Sequence, residues 1–251
     1  MKKTLLFSIV LMISISAISQ VTGGNHDKLF DLYLLEKYED CYYKAFKMTE
    51  NDKYSYDAEP FLYVSMCALK MADDPNLSEA YPDAFSNMIK YAQKGVKIID
   101  KLESKEKETI SIVDQEDFFQ DLKDYTLNEI FFIWVENKFS KAASLYRKII
   151  KIFPNDENIL FLAGAGEIMS NNRQGEMKLT DAKAMFEEKY GRSGYTGDEV
   201  SNQYFVKGLI SFTNWAVKND KSDMAKDWIA LARKYMPDDE RVEEQYDLLL
   251  N

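Results

Sequence analysis

Apolar and polar positions recur with a helical period through most of this chain. The pattern is clearest in residues 136–156, ENKFSKAASLYRKIIKIFPND, where Ala142, Tyr146 and Ile149 follow one another at steps of four and three. That spacing places the three side chains on one face of an α-helix. Pro154 cannot continue a helix because it lacks a backbone donor and clashes with the preceding turn. The pattern therefore predicts an amphipathic helix that stops before Pro154.

The same stretch resembles the second half of a tetratricopeptide repeat (TPR), a helix pair with a period of 34 residues. Phe139, Ala142, Tyr146 and Pro154 stand where the family has an aromatic, a small residue, an aromatic and a proline. Ile149 is larger than the alanine usual at its position. The resemblance implies an all-α fold, in which antiparallel helix pairs stack as a TPR-like right-handed superhelix.

Later segments carry parts of the same pattern. In MAKDWIALARKYMPDD, residues 224–239, Ala225 and Pro237 have the repeat spacing, and ERVEEQYDLLL follows as the expected capping helix. LFLAGAGEIM, residues 160–169, predicts a helix whose Gly164 permits close packing, since no strand precedes it and no Gly-Lys-Ser follows. In its partner helix, TDAKAMFEEKYG, the repeat positions lie about six residues further along the chain than the 34-residue period predicts. We therefore expect SNNRQGEMKLTD to be a polar loop, and Ala142, Gly164 and Ala225 to face neighbouring helices.

The N-terminal half is less regular. LLEKYEDCYYKAFKM reads as a second helix, while DAEPFLYVSMCALKM and YPDAFSNMIKYAQKGVKII read as a helix pair. The charged segment KLESKEKETISIVDQED then interrupts the array. The predicted organisation is a signal peptide (1–19), a flexible N-terminus (20–27), degenerate TPR-like helices (28–105) and C-terminal TPR-like units with a capping helix (106–251).

The first residues predict export. Lys2 and Lys3 precede an uncharged apolar run, and small residues follow at Ala17 and Ser19, so we expect signal cleavage between Ser19 and Gln20. The run is too short to span a bilayer. The segment resembles the signals of exported Bacteroidota proteins, which implies a periplasmic or extracellular protein without membrane insertion after cleavage.

The composition of the chain disfavours several classes of function. The formal net charge of −10 disfavours nucleic acid as a partner, because phosphate binding needs a basic face. His26 is the only histidine and is expected in the tail, so neither a Ser-His-Asp site nor a His-rich zinc site is expected. No metal and no cofactor are predicted. Cys41 and Cys67 are either a disulfide, as export permits, or two buried free thiols.

The TPR resemblance also indicates where a partner would bind. In that family the first helices of the pairs line a concave groove, and matching positions carry over to this chain. The predicted partner-binding residues are Phe131, Trp134, Asn158, Phe161, Met169, Lys207, Asn214 and Lys218. Such a groove suits an extended peptide or a helix with apolar anchors.

The prediction for function is a non-enzymatic adaptor or scaffold in a cell-envelope assembly. One alternative is a surface protein that binds glycans or peptides for nutrient uptake. Another is a glycan-cleaving enzyme that uses Glu167, since a buried glutamate with a raised pKa can act as a general acid. Ile168 stands where such enzymes have a serine directly after that acid, and no lysozyme-like segment follows.

Overall fold

The computed structural model describes residues 26–105, 115–191, 195 and 197–250. In these ranges the chain is helical and has no strand. The predicted signal peptide, residues 20–25 and residues 106–114 of the charged segment lie outside them. The helices are α1 (Asp27–Leu34), α2 (Tyr38–Thr49), α3 (Ala58–Asp73), α4 (Pro75–Ser78), α5 (Ala84–Glu103), α6 (Gln115–Val135), α7 (Phe139–Ile149), α8 (Glu157–Met169), α9 (Gln174–Tyr190), α10 (Glu199–Lys218), α11 (Ser222–Tyr235) and α12 (Glu240–Leu250), with a 3₁₀ turn at Asp52–Tyr54.

Helices adjacent in the fold form antiparallel pairs. In α3 and α5, Ser65 Oγ donates to the carbonyl of Met88 at 2.6 Å, and Gly95 lies against Leu62. In α8 and α9, the end of one helix meets the start of the other at Gly164 and Gly175. The predicted all-α class, built from antiparallel helix pairs, is confirmed for the described residues. The right-handed sense of the superhelix stays a prediction.

Four of these pairs share one tight turn, and a residue in the left-handed region ends the first helix of each. The N–H of the following residue then donates to a carbonyl five residues back, which closes the last helical turn as in a Schellman motif. The left-handed residues are Glu36 (φ 56°), Asn137 (φ 60°), Asn171 (φ 61°) and Asp220 (φ 57°). The bonds run from Lys37 to Leu32 (2.9 Å), Lys138 to Ile133 (3.2 Å), Asn172 to Glu167 (2.8 Å) and Lys221 to Ala216 (2.8 Å).

The turn after α8 corrects one expectation. The segment SNNRQGEMKLTD is not a loop throughout, because α9 already begins at Gln174, whose backbone N–H donates to Asn172 Oδ1. The early start brings Gly175 against α8, where a Cβ at position 175 would lie 2.4 Å from the Gly164 carbonyl oxygen. Because both positions are glycines, the backbones of α8 and α9 touch. The expected long loop between these two helices is therefore absent from the described structure.

Small residues lie at the contacts between helices, as predicted. Ala142 and Ala225 are fully buried, and Gly164 lies against Leu179 of α9. Gly166 lies against the ring of Trp134 and the Cβ of Ala143. The prediction that small residues face neighbouring helices is therefore confirmed for all three positions.

The pair α3–α5 is joined without this tight turn. The chain passes from α3 to α5 through residues 74–83, which contain the single-turn helix α4. Asp74 caps α4 by accepting from the backbone N–H of Asn76 at 2.8 Å. This longer connection lies beside α2, and it shapes the cleft described below.

The regions before and after residues 106–114 pack against each other. Tyr125 of α6 donates to the carbonyl of Ala72 at 2.9 Å, and Gln93 of α5 donates to the carbonyl of Lys148 at 2.6 Å. The division of the chain at residue 105 stays a prediction.

Candidate functional site

The structure places much of the predicted groove in the interior. Trp134, Asn158, Phe161 and Met169 are buried, Trp134 at 1% exposure, and Phe131 is half-buried. Trp134 Nε1 donates to Ser211 Oγ at 2.9 Å, which ties α6 to α10. The expectation that these four buried side chains line an open groove is wrong, because they form the helix–helix core.

The reason lies in the position of α10. Its Gly208 faces Leu162 of α8, while its Tyr204 packs on Phe131 of α6 at a ring distance of 5.9 Å. One helix therefore covers the surface that the other two would have left open. The sequence of α8 indicates this, since it is apolar on all sides, and such helices are buried. Twelve of its thirteen residues are buried.

Lys207, Asn214 and Lys218 lie on the exposed side of α10. The ammonium of Lys207 is 5.7 Å from the centre of the Phe131 ring, and Asn214 Oδ1 accepts from Gln245 of α12 at 3.0 Å. The structure thus separates these three residues from the buried members of the predicted set. Partner binding at these exposed positions stays a prediction.

Glu167 is not placed for acid catalysis. Its side chain is 1% exposed, and both oxygens are paired: Arg147 donates to Oε1 at 3.1 Å and Lys178 donates to Oε2 at 2.9 Å. A general acid must reach the substrate atom that it protonates. Glu167 instead joins α7, α8 and α9.

A cleft in the N-terminal region is a second candidate site. It lies between α2 and the α3–α5 connection and has a volume of about 670 Å³. We call it the tyrosine cleft. Its lining is Tyr42, Tyr43, Phe46, Lys47, Glu50, Met71, Ala80, Tyr81, Pro82, Asp83, Ala84, Asn87 and Lys90.

Aromatic rings dominate the walls. Tyr42 packs edge-on against Tyr43 at 5.5 Å and stacks with Phe46 at 6.0 Å. Tyr43 and Tyr81 lie at an interplanar angle of 60°, with ring centres 6.4 Å apart. Tyr43 is 52% exposed, so its ring has no covering partner on its outer side. Exposed rings held by neighbouring rings are typical anchors of binding sites, because little side-chain entropy is lost on contact.

The tyrosine hydroxyls are held as hydrogen-bonding groups. Asn87 donates to the Tyr42 hydroxyl at 3.0 Å, and the Tyr81 hydroxyl donates to Glu39. Burial raises the pKa of Tyr42, and the bond to Glu39 raises the pKa of Tyr81. Both hydroxyls therefore stay protonated at neutral pH, and the Tyr42 proton remains available to an acceptor in the cleft.

The charges at the rim balance. Lys47 and Lys90 contribute two cations, while Glu50 and Asp83 contribute two carboxylates. The cleft thus favours neither a strongly acidic nor a strongly basic ligand. An aromatic lining with a few polar groups suits a segment that carries apolar side chains and a hydrogen-bonding backbone.

Two predictions from the sequence concern other side chains of the N-terminal region, His26 and the two cysteines. His26 is not a free tail residue, because its Nε2 lies 2.7 Å from Asp57 Oδ2. Cys41 and Cys67 are buried free thiols, which is the second of the two alternatives above. Burial and a hydrogen bond with Cys41 raise the pKa of the Cys67 thiol. Neither thiol lines the cleft.

Known proteins give little information about this site. No protein family and no curated protein matches the sequence. Among solved structures, the chain is similar to the TPR2AB-domain:pHSP90 complex of yeast Sti1, at 12% sequence identity and a TM-score of 0.27. The match covers 90% of this chain and 84% of that chain. A TM-score this low supports no argument, so the architecture rests on the helix contacts described above.

In the part of the chain that the structure describes, none of the helices combines the length and the apolar character of a membrane span.

Proposed function

We propose that this chain is a non-enzymatic adaptor of the cell envelope, exported by its N-terminal signal, and that it binds a peptide segment of a protein partner in the tyrosine cleft. One observation carries the proposal: the cleft is open, aromatic and set between helices of a packed array. Ligand sites of this kind lie between helices and orient their ligand with a few polar groups.

The partner segment is extended and carries apolar or aromatic anchor residues. Tyr43 and Tyr81 provide the ring surfaces for such anchors, while Tyr42 and Asn87 provide hydrogen bonds for its backbone. The balanced rim charges mean that steering by net charge contributes little, so affinity comes from the aromatic contacts.

Site-specific crosslinking tests the site. A photo-reactive amino acid replaces Tyr43 in one chain and Tyr56 in another, and each is irradiated in envelopes of the producing cell. Tyr56 is 60% exposed but lies outside the cleft, so it is a matched control. We expect a discrete adduct with one protein from position 43, absent from position 56 and abolished by Tyr81→Ala. Equal adducts at both positions, or none at position 43, contradict the proposal.

Export is tested separately. N-terminal sequencing of the protein from fractionated cells should give Gln20 as the first residue in the envelope or medium fraction. A cytoplasmic chain that keeps residues 1–19 would refute export while leaving the cleft proposal standing.

Glycan binding is a second candidate, because the same cleft combines the exposed Tyr43 ring with the polar side chains of Asp83 and Asn87. The electron-rich face of a ring attracts the C–H groups of a sugar. A glycan array separates the two functions: saturable binding that Tyr43→Ala removes, together with no protein adduct, favours the glycan.

A further inference from the structure

His26, Asp57 and Glu59 meet at the start of the folded chain, and we call them the His26 cluster. Each offers one ligand atom, an imidazole nitrogen or a carboxylate oxygen, and these atoms all lie within 4.8 Å of one another. His26 directly precedes α1, whereas Asp57 and Glu59 belong to the start of α3. None of the three lines the tyrosine cleft, so the proposed function does not use them.

The cluster is oriented by its surroundings. Asp57 uses its two oxygens differently: Oδ1 caps α3 by accepting from the Glu59 N–H at 3.1 Å, and Oδ2 faces His26 at 2.7 Å. The ring of Tyr54 packs edge-on against the imidazole, with ring centres 5.7 Å apart. Neighbours that fix a ligand's orientation are a regular part of metal sites, because they hold the donor atoms in place before the ion arrives.

Helix α1 is held where it keeps His26 in the cluster. Leu29 is fully buried, and its carbonyl accepts a hydrogen bond from Cys41 Sγ of α2 at 3.3 Å. The imidazole therefore reaches Asp57 from a packed helix. This packing distinguishes the cluster from a chance encounter of a free tail with a surface carboxylate.

The donor set is that of a divalent transition metal. One imidazole and two carboxylates suit Zn²⁺, whereas Ca²⁺ and Mg²⁺ prefer sites built from oxygen alone. Two donors that share an ion at about 2.0–2.2 Å lie roughly 3–3.5 Å apart. The widest separation in the cluster, up to 4.8 Å, therefore has to close by about 1 Å, while His26 Nε2 and Asp57 Oδ2, at 2.7 Å, have to move slightly apart. Side-chain rotations of the aspartate and the glutamate supply both movements.

We propose that the His26 cluster binds one divalent transition-metal ion of the Zn²⁺ type. His26 and Asp57 are partly exposed and Glu59 is buried, so the ion enters from the histidine side and keeps water in its remaining positions. Bound there, it clips the start of α1 to the start of α3. Because the ion binds the folded chain, it stabilises that state by mass action.

The chain has a single histidine, so every imidazole resonance belongs to His26 and the test is direct. The purified chain is stripped with EDTA and titrated with ZnCl₂, followed by calorimetry and by ¹⁵N NMR of the imidazole. We expect one equivalent to bind and to shift the ring resonances of His26. His26→Gln and Asp57→Asn should each weaken the affinity by about tenfold or more.

Control variants distinguish the residues that bind Zn²⁺ from neighbouring residues that do not. Asp52→Asn changes a carboxylate of the neighbouring 3₁₀ turn that is not in the cluster, and it should bind Zn²⁺ as the wild type does. Asp57→Asn keeps an oxygen that can cap α3, so its fold is retained, as circular dichroism would check. Unchanged affinity in His26→Gln would assign the ion to Cys41 and Cys67 or to surface carboxylates and would overturn the proposal. Titration without heat or resonance shift at millimolar ZnCl₂ would overturn it as well.

Discussion

Some neighbouring helices of this molecule are joined by a tight turn, and others by a longer connection. Four pairs turn through a left-handed residue within a few positions, whereas α3 and α5 are joined by residues 74–83. The tight turns leave helix ends packed against each other. The long connection instead lies beside α2, and the space between them is the tyrosine cleft. A regular repeat thus builds the scaffold, and the departure from regularity opens the candidate site.

The two regions also differ in their polar contacts. After residue 115, buried charges join helices: Lys123 lies 3.2 Å from Asp156 and 3.1 Å from Asp198, the residues that cap α8 and α10. Before residue 105, the pair α3–α5 is joined by neutral bonds such as that of Ser65. Buried ion pairs thus join helices of the C-terminal region, whereas α3 and α5 are joined by apolar contacts and neutral hydrogen bonds.

The largest expected effect concerns those buried charges. Lys123→Met leaves the carboxylates of Asp156 and Asp198 without their shared cation, so we expect the free energy of unfolding to fall by about 3–5 kcal/mol. Chemical denaturation measures the change. The matched variant is Lys70→Met, which removes the partly exposed pair with Asp121 at 3.6 Å and should cost less than about 1 kcal/mol. Equal losses would remove the distinction between the buried and the partly exposed ion pairs.

Glycines at helix contacts offer the next comparison. Gly175→Ala brings a Cβ to 2.4 Å from the backbone oxygen of Gly164, which cannot move away, and we expect a loss of about 2–3 kcal/mol. Gly95→Ala meets side-chain atoms of Leu62, Cδ2 at 2.5 Å and Cγ at 2.8 Å, which can shift more easily than a backbone oxygen. Its loss should be about 1 kcal/mol, since alanine also favours the helix. Thermal unfolding of both variants checks the order, and a larger loss at position 95 would contradict it.

The tight turns themselves can be improved where the residue type is unfavourable. Glu36 adopts a φ of 56°, a conformation that costs a residue with a side chain about 1–2 kcal/mol. Glu36→Gly should therefore raise the free energy of unfolding by about 1 kcal/mol. Asn137→Gly is the control, because asparagine already tolerates its φ of 60°, and it should change stability little. A destabilised Glu36→Gly would show that the glutamate side chain matters to the turn.

The smallest effect is expected in the cleft. Tyr43→Ala removes a side chain that is 52% exposed, so the free energy of unfolding should change by about 0.5 kcal/mol or less while the crosslinked adduct is lost. Tyr42→Ala removes a buried ring from the same wall and should cost about 2–3 kcal/mol. If Tyr43→Ala proves as costly as Tyr42→Ala, the exposed ring is structural and the cleft loses its main anchor.

Helices and their contacts could be read from the sequence, whereas the binding surface could not. The sequence pattern located α3, α7 and α8, and small residues such as Ala142 and Ala225 marked the contacts. The predicted groove was wrong for Trp134 and its buried neighbours, because a repeat register assumes regular stacking. The apolar character of α8 on all sides indicated its burial, but only when weighed against that register.

The tyrosine cleft and the His26 cluster were not predicted. The cleft joins Tyr43 to Tyr81, and the cluster joins His26 to Asp57, so both depend on how α1, α2 and α5 pack around α3. A period along the chain carries no information about such contacts. The tyrosines of KYEDCYYKAFKM were visible as a concentration of rings, yet nothing local indicated which of them would stay exposed.

The sequence by itself determined that this chain forms helices, that α7 ends before Pro154, and that small residues and glycines let helices pair closely. Those properties follow from side-chain period and backbone chemistry over short distances. The tertiary structure decided which apolar faces are buried and which groups meet. It did so because α10 packs across both α6 and α8, and because the longer α3–α5 connection leaves space beside α2.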